Sequence, residues 1–250
     1  MAGMGSRFTQ NGYSVAKPML PIHNVPMFLL VLYNLYSEEL NSVTLIKQNS
    51  LNLLSYEDLF ESATGIKVNV ITLDAPTNGA ASTVALALEK LQSEMPVVIA
   101  NSDQYVDMNV KVFYSAVLQY QNAGAILTME DSDPKWSYAR VNNGTISEVV
   151  EKEVISDYAT VGIYGFRSTG VALDAINKMK SENFRVNNEF YLAPAYNFID
   201  SNEGKTVAVH LGKIGKAMHG LGIPSDYESF LENPVSFEIA KKAREFFKMQ

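Results

Sequence analysis

The sequence predicts an α/β fold: a Rossmann-like, mostly parallel mixed sheet with helices on both faces and an inserted antiparallel hairpin. Three observations carry that expectation. Apolar, β-branched runs alternate with helical spacings along most of the chain, the pattern of strand–helix–strand units. Several of the runs are continuous rather than alternating, as strands covered on both faces require. One stretch, ARVNNGTISEVVE, breaks the rhythm by placing Asn143-Gly144 between two alternating segments, which is a strong hairpin signal.

In chain order, strands are expected at 43–46 (VTLI), 67–73 (KVNVITL), 96–100 (PVVIA), 124–129 (GAILTM), 159–166 (ATVGIYGF) and 205–211 (KTVAVHL). Helical spacing relates Met27, Leu30, Val31, Asn34 and Leu35; then Val84, Leu88 and Leu91; then Phe113, Ala116, Val117 and Tyr120. Near the end, Ser225 and Glu228 have the spacing of a capping box, with Asp226 and Tyr227 between them. Asn233-Pro234 then opens a last helix with Phe237, Ala240, Arg244 and Phe247 on one face. No repeat, low-complexity tract or Pro/Gly/Ser linker intervenes, so a single domain over residues 1–250 is expected.

Composition narrows the function classes. Of 250 residues, 47% are apolar and 19% charged, ordinary values for a globular protein. The net charge of −7 argues against a general nucleic-acid binder, which carries a basic face. Zero cysteines exclude a disulfide framework, thiolate chemistry and cysteine-ligated metal. No apolar run approaches the roughly 18–20 residues of a membrane span, and no basic-then-apolar signal segment is readable, so a cytoplasmic protein without a membrane partner is expected. Asn143-Gly144-Thr145 also fits a glycosylation sequon, but in such a chain it reads as a turn.

The chain opens MAGMGSRF and soon reads AKPMLPI. Gly3 and Gly5 permit positive φ and let backbone N–H groups approach an anion closely. Arg7 adds a planar fork suited to phosphate oxygens, and Lys17, its backbone stiffened by Pro18, adds a point charge. A dinucleotide fingerprint would need a third glycine where Phe8 stands and an acidic residue where Pro21 to Val25 lie. A Walker loop would need Gly-Lys-Ser/Thr, which is absent. The remaining alternative is an unstructured N-terminal stretch. Asp103 follows the strand at 96–100, at the carboxyl end where open α/β sheets place ligands. Its carboxylate suits Mg²⁺, and a turn or helix cap is the competing role. His23, His210 and His219 lack metal-ligand spacing, and Trp136 reads as packing.

A-G-x-G-S-R-F followed by K-P-M-L-P-I resembles the signature of the sugar-1-phosphate nucleotidyltransferases, the nucleoside-diphosphate-sugar pyrophosphorylases. The likeness continues in order through PTNGAASTVALA (76–87), IANSDQYVD (99–107), DPKWSYARV (133–141), VVEKEVISDYATVGIYGF (149–166), VNNEFYLAPAYN (186–197) and MHGLGIPSDYESF (218–230). It is similar to the small single-domain members found with capsule and lipopolysaccharide genes, more than to those with β-helix extensions. The resemblance implies a glycosyltransferase-A-like nucleotidyltransferase fold and a further strand ahead of Met1, missing from this sequence.

The implied reaction is attack by a sugar-1-phosphate oxygen on the α-phosphorus of an NTP, expelling pyrophosphate. By resemblance, Ala2, Gly3, Met4, Gly5 and Ser6, with Arg7 and Lys17, would hold the triphosphate, and Asn78, Gly79, Ala80 and Ser102 would serve the nucleotide. Asp103 would hold Mg²⁺. Lys152 would meet the sugar phosphate, with Glu151, Gly162, Asn188 and Glu189 toward the sugar. Many relatives place a second metal-binding aspartate where this chain has Gly220; Asp226 is a weak substitute, and the second ligand stays unassigned. An acceptor that is a phosphate other than a sugar's, with CTP as donor, is one alternative. A non-catalytic nucleotide- or NDP-sugar-binding relative is another, and a homo-oligomer is compatible with either. Joint retention of Arg7, Lys17, Asp103 and Lys152 favours catalysis.

Overall fold

The computed structural model describes residues 1, 6–91, 94–213 and 217–249. Along the chain run α1 (Ser6–Gln10), β1 (Pro21–Ile22), β2 (Val25–Pro26), α2 (Met27–Asn34), β3 (Ser42–Gln48), α3 (Tyr56–Thr64) and β4 (Lys67–Leu73). Next come α4 (Ala80–Leu91), β5 (Val97–Ala100), β6 (Gln104–Val106), α5 (Val110–Leu118), β7 (Asn122–Glu130), β8 (Ser137–Asn142), β9 (Thr145–Glu151), β10 (Tyr158–Phe166) and α6 (Thr169–Ser181). The last elements are β11 (Lys205–Lys213), β12 (Met218–Gly220), α7 (Pro224–Glu232) and α8 (Pro234–Phe247), with short 3-10 turns at Lys17–Met19, Ala193–Phe198 and Ser201–Glu203. All six expected strands are present. No helix among the described residues is long and apolar enough to cross a membrane.

The contacts divide the chain into two compact units: Met1–Pro76 with Ser102–Val106 and His219–Gln250, and Thr77–Asn101 with Asp107–Met218. In the first unit β3 and β4 pair in parallel, from Ser42↔Lys67 to Gln48↔Leu73. α2 buries Met27 through Val31 without a polar face, as a helix enclosed by its own core does. The Asn233 side chain accepts from Val235 N and caps α8, as the Asn-Pro pair implies. The expected apolar face of α8 needs correction. Its buried stripe is Ser236, Ala240, Ala243 and Phe247, while Phe237 is 56% exposed and stacks on His23 with ring centroids 3.7 Å apart. The capping box does not form either. Pro224 occupies the first helical turn with Ile223 at the cap, and the Glu228 carboxylate instead accepts from the Tyr13 hydroxyl at 2.7 Å.

The second unit holds a six-stranded sheet in the order β5-β10-β7-β11-β9-β8. β7 and β10 are buried along almost their whole length, as continuous apolar runs demand. Tyr164 and Phe166 pack with α4 and α6 residues. Gly165 between them faces α5 so closely that a Cβ would stand 2.2 Å from Val117 Cγ2. Helices therefore cover both faces of this sheet. Parallel pairing occurs between β3 and β4 and between β7 and β11, and the other paired strands of the six-stranded sheet run antiparallel. The reason is local: β7 reaches β10 through the β8–β9 hairpin, and a hairpin returns the chain without a crossover helix. The hairpin turn itself is as expected, with Asn143 and Gly144 at φ 48° and 75°. β5 is only half-buried, although its apolar run predicts cover on both faces. Tyr120 lies beyond the end of α5 and is 92% exposed.

Two asparagines stand in for missing strand partners. In the first unit Asn34 Nδ2 donates to Val106 O at 2.7 Å and its Oδ1 accepts from Val106 N at 2.9 Å. In the second, Asn197 treats Val149 the same way, at 2.7 and 2.8 Å. Replacing Asn34 by leucine strands both backbone groups of a buried residue, at a cost on the order of 2–4 kcal/mol. Urea denaturation should show a clear fall in midpoint for Asn34→Leu and a smaller one for Asn34→Asp, which keeps the acceptor.

Candidate active site

Ala2, Gly3, Met4 and Gly5 lie outside the described residues. Beyond them, α1 fastens the chain through Phe8, which is 1% exposed. Its ring meets Tyr13 and Tyr227 edge-on at 5.2 and 6.0 Å, and Tyr227 in turn donates to Pro21 O at 2.6 Å. A phenylalanine where a dinucleotide loop would have glycine thus has a reason: it is the anchor. Ser6 and Arg7 stay exposed on the same short helix.

Lys17 begins the 3-10 turn that Pro18 stiffens. Its Nζ donates to Asp103 Oδ2 at 2.6 Å, with both side chains about one-fifth exposed. Asp103 immediately precedes β6, which pairs with β12. The Asp103 carbonyl accepts from Leu221 N at 2.8 Å, and a Cβ on Gly222 would lie 3.2 Å from its Oδ2. A charge, a backbone bond and a glycine therefore confine this carboxylate. Oδ1 makes no hydrogen bond to a described residue. Among the described residues no three His, Cys, Asp or Glu side chains gather as a metal cage. One carboxylate with an open oxygen fits Mg²⁺, which keeps waters and takes one or two protein carboxylates beside substrate phosphates. Gly220 in β12 offers no side chain, and Asp226 sits in the first turn of α7, where its charge complements the helix dipole.

In the second unit Asn78, Gly79 and Ala80 form the turn into α4. Phe190 N donates to Asn78 O at 2.9 Å and Phe190 O accepts from Ala81 N at 3.0 Å. Between these bonds Gly79 adopts φ 112°, and a Cβ there would fall 2.5 Å from Phe190 O. Only glycine fits. Thr77 Oγ1 donates to Gly79 O at 2.9 Å and meets Thr83 Oγ1 at 2.6 Å, closing the turn with hydroxyls.

Lys152 directly follows β9 with φ 58° and donates its N–H to Trp136 O at 3.0 Å. Its ammonium reaches Tyr191 OH at 2.5 Å and lies 4.5 Å from the ring centroid. Tyr191 arrives on a tight turn whose Asn187 and Asn188 take φ 49° and 63°, conformations asparagine tolerates. Val186 and Glu189 close that turn at 3.0 and 3.1 Å. Glu151, buried, accepts from Ser137 Oγ. Burial pushes its carboxyl above the usual range; the Ser137 bond and Lys152 pull it back, and Glu189 adds to the rise. Gly162, at φ 78°, lies within the irregular stretch of β10 between Thr160 and Tyr164 and accepts from Asn101 N at 3.0 Å. Trp136 donates Nε1–H to Asp131 at 2.7 Å, so it fixes the loop that carries it.

The structure brings Lys17 to Asp103, and Lys152, Glu151 and Glu189 together. Tyr191 and Ser137 are partners that spacing does not reveal, because each is identified only by what folds against it. Gly79→Ala should break the Asn78–Phe190–Ala81 ladder and add left-handed strain of about 1–3 kcal/mol. A clear fall in Tm, read by calorimetry, is the expected result.

The fold is shared with solved structures. A nucleoside-diphosphate-sugar pyrophosphorylase from Vibrio cholerae RC9 superposes with a TM-score of 0.80 at 23% identity, over 93% of this chain and 98% of that one. A putative glucose-1-phosphate thymidylyltransferase from Bacillus anthracis gives 0.72 at 17%, over 91% and 89%. The inositol-1-phosphate CTP transferase from T. maritima gives 0.71 at 16%, over 97% and 93%. No curated protein matches the sequence. The sequence model of the nucleotidyl transferase family matches residues 1–193, a span that takes in Arg7, Lys17, the Gly79 turn, Asp103 and the Glu151–Lys152 strand end. The chain belongs to the nucleotidyl transferase family.

Proposed function

We propose that the protein transfers a nucleotidyl group from an NTP to a sugar-1-phosphate and releases pyrophosphate. The observation that carries the acceptor assignment is the end of β9. There an ammonium held by a neutral hydroxyl and ring sits next in sequence to a carboxylate. A cation for phosphate beside an acceptor for hydroxyl protons suits a phosphorylated polyol. Family membership supports the nucleotidyl half.

An acceptor phosphate oxygen attacks the α-phosphorus, and the bond from that phosphorus to the α,β-bridging oxygen breaks. Pyrophosphate leaves with the bonding electrons. Such transfer depends on positioning and neutralisation more than on covalent help. Arg7 and Lys17 would take the leaving pyrophosphate, and Asp103 orients the Lys17 ammonium beforehand. Asn78, Gly79 and Ala80 would meet the base, with Ser102 near the phosphates. Lys152 would hold the attacking phosphate; Glu151, Gly162, Asn188 and Glu189 would face the sugar. Asp103 would hold Mg²⁺, which would supply charge neutralisation for the phosphates.

A pyrophosphate-release screen of the four NTPs against sugar-1-phosphates and inositol-1-phosphate tests this directly. Turnover with at least one pair is expected; absence of both turnover and NTP binding overturns the assignment. Asp103→Asn should fold normally and lose at least about a hundredfold in turnover. Lys152→Ala should lower kcat/KM for the acceptor by on the order of 2–4 kcal/mol of transition-state stabilisation while NTP affinity is kept. Loss of NTP affinity instead would move Lys152 to the other substrate.

A further inference from the structure

Tyr191 is bonded to Lys152 in a way that leaves the tyrosine's own proton unspent. An ammonium has protons to give and no lone pair to offer. In the 2.5 Å contact between Lys152 Nζ and Tyr191 OH the lysine therefore donates and the phenol oxygen accepts. The phenol proton must point elsewhere, and no described residue receives it. Lys152 is only partly spent as well. It forms no ion pair among the described residues and makes this one side-chain hydrogen bond, so the rest of its N–H groups are open. Tyr191 is half-buried and Lys152 exposed, which leaves the open side of the pair within reach of a ligand.

Both residues are held at the backbone. Lys152, at φ 58°, has its N–H on Trp136 O. Tyr191 follows Phe190, whose N–H and carbonyl are bonded to Asn78 and Ala81. A carboxylate would hold the ammonium more tightly but would cancel its charge, and an amide carbonyl would orient it without bringing a proton. The phenol does neither: it orients the lysine, leaves the charge intact and adds an O–H donor. Donation from the ammonium also draws electron density from the phenol oxygen and strengthens that O–H as a donor. With the two donor atoms 2.5 Å apart, an anion drawn to one meets the other.

We infer that the Tyr191 hydroxyl is a second donor to the phosphate of the acceptor, bonding a non-attacking oxygen beside the one that Lys152 neutralises. A phosphoryl group carries several charged oxygens around one centre, so it takes both donors at once. The attacking oxygen keeps its lone pair for phosphorus, because a donor placed on it would lower its nucleophilicity. Tyr191 keeps its proton throughout, and no covalent bond to it forms or breaks. The inference rests on the acceptor assignment made above and adds to it a contact that Lys152 does not make.

The test is a double-mutant cycle of Tyr191→Phe and Lys152→Ala. It is read by steady-state kinetics with whichever of glucose-1-phosphate, galactose-1-phosphate and inositol-1-phosphate the parent turns over fastest. Tyr191→Phe keeps the ring and removes only the hydroxyl. It should raise the acceptor KM about tenfold or more, as loss of a hydrogen bond to a charged group does, and leave the NTP KM and Tm in place. In the Lys152→Ala background the same change should still cost at least about threefold, the loss of an ordinary hydrogen bond. Inorganic phosphate, competing with the acceptor, should also inhibit Tyr191→Phe less well than the parent. A Tyr191→Phe that is silent in the parent, or silent once Lys152 is gone, overturns the inference, since the phenol then serves only to orient the lysine. So does a raised acceptor KM with unchanged inhibition by phosphate, which sends the proton to the polyol instead. Lack of parent turnover with all three acceptors removes the acceptor assignment itself, whereas parent turnover with a silent Tyr191→Phe removes only the second donor.

Discussion

The backbone of Phe190 lies against the backbone of Gly79 with no room for a side chain between them, and much of the second unit follows from that approach. It ties the start of α4 to the segment after α6, two stretches more than a hundred residues apart. With Phe190 fixed, the chain before it must turn sharply, which is why Asn187 and Asn188 sit in left-handed conformations. The residue after it, Tyr191, is delivered to Lys152. Arg185 completes the arrangement by lying 4.3 Å above the Phe190 ring. One close contact thus sets the turn into α4 and a lysine together, and a shift in either would be felt by the other.

The two units treat their lysines differently. Lys17 is neutralised by a carboxylate, so its position is set by opposite charge and its net field is small. Lys152 makes no ion pair among the described residues; a phenol hydroxyl and an aromatic face hold it. Neutral partners orient the ammonium without cancelling it, and its full charge remains to attract an anion. Under the proposed function such a difference would suit one cation kept in place beside Asp103 and another that captures a free phosphate.

Much of the fold is legible in the sequence, and the reasons for the rest are physical. Strands buried on both faces, β7 and β10, leave long apolar runs without a polar alternation. α3 hides because it buries only Phe60, too little to make a stripe; α6 does show one, at Val171, Ala172, Ala175, Ile176 and Met179. The Asn143-Gly144 turn pins the hairpin, yet counting straight back from Asn142↔Thr145 would set Ser137 against Val150. An irregularity between Arg140 and Val141 shifts the register and puts Ser137 opposite Glu151 instead. A bulge has no reliable sequence mark, so this pairing is invisible before folding. Gly79 is legible as a glycine with a purpose, but the sequence does not say that the purpose is Phe190.

Asn34 and Asn197 each imitate a peptide group, donating and accepting at once to one residue of a strand. One steadies β6 just after Asp103, and the other steadies β9 just before Glu151 and Lys152. An amide carries no ionisable proton and no net charge. Both clamps are therefore indifferent to pH and to dissolved ions, while the Glu151 carboxyl is not. The scaffold and the chemistry answer to different variables: acid or salt can retune the charges at the strand ends without loosening the strands that present them.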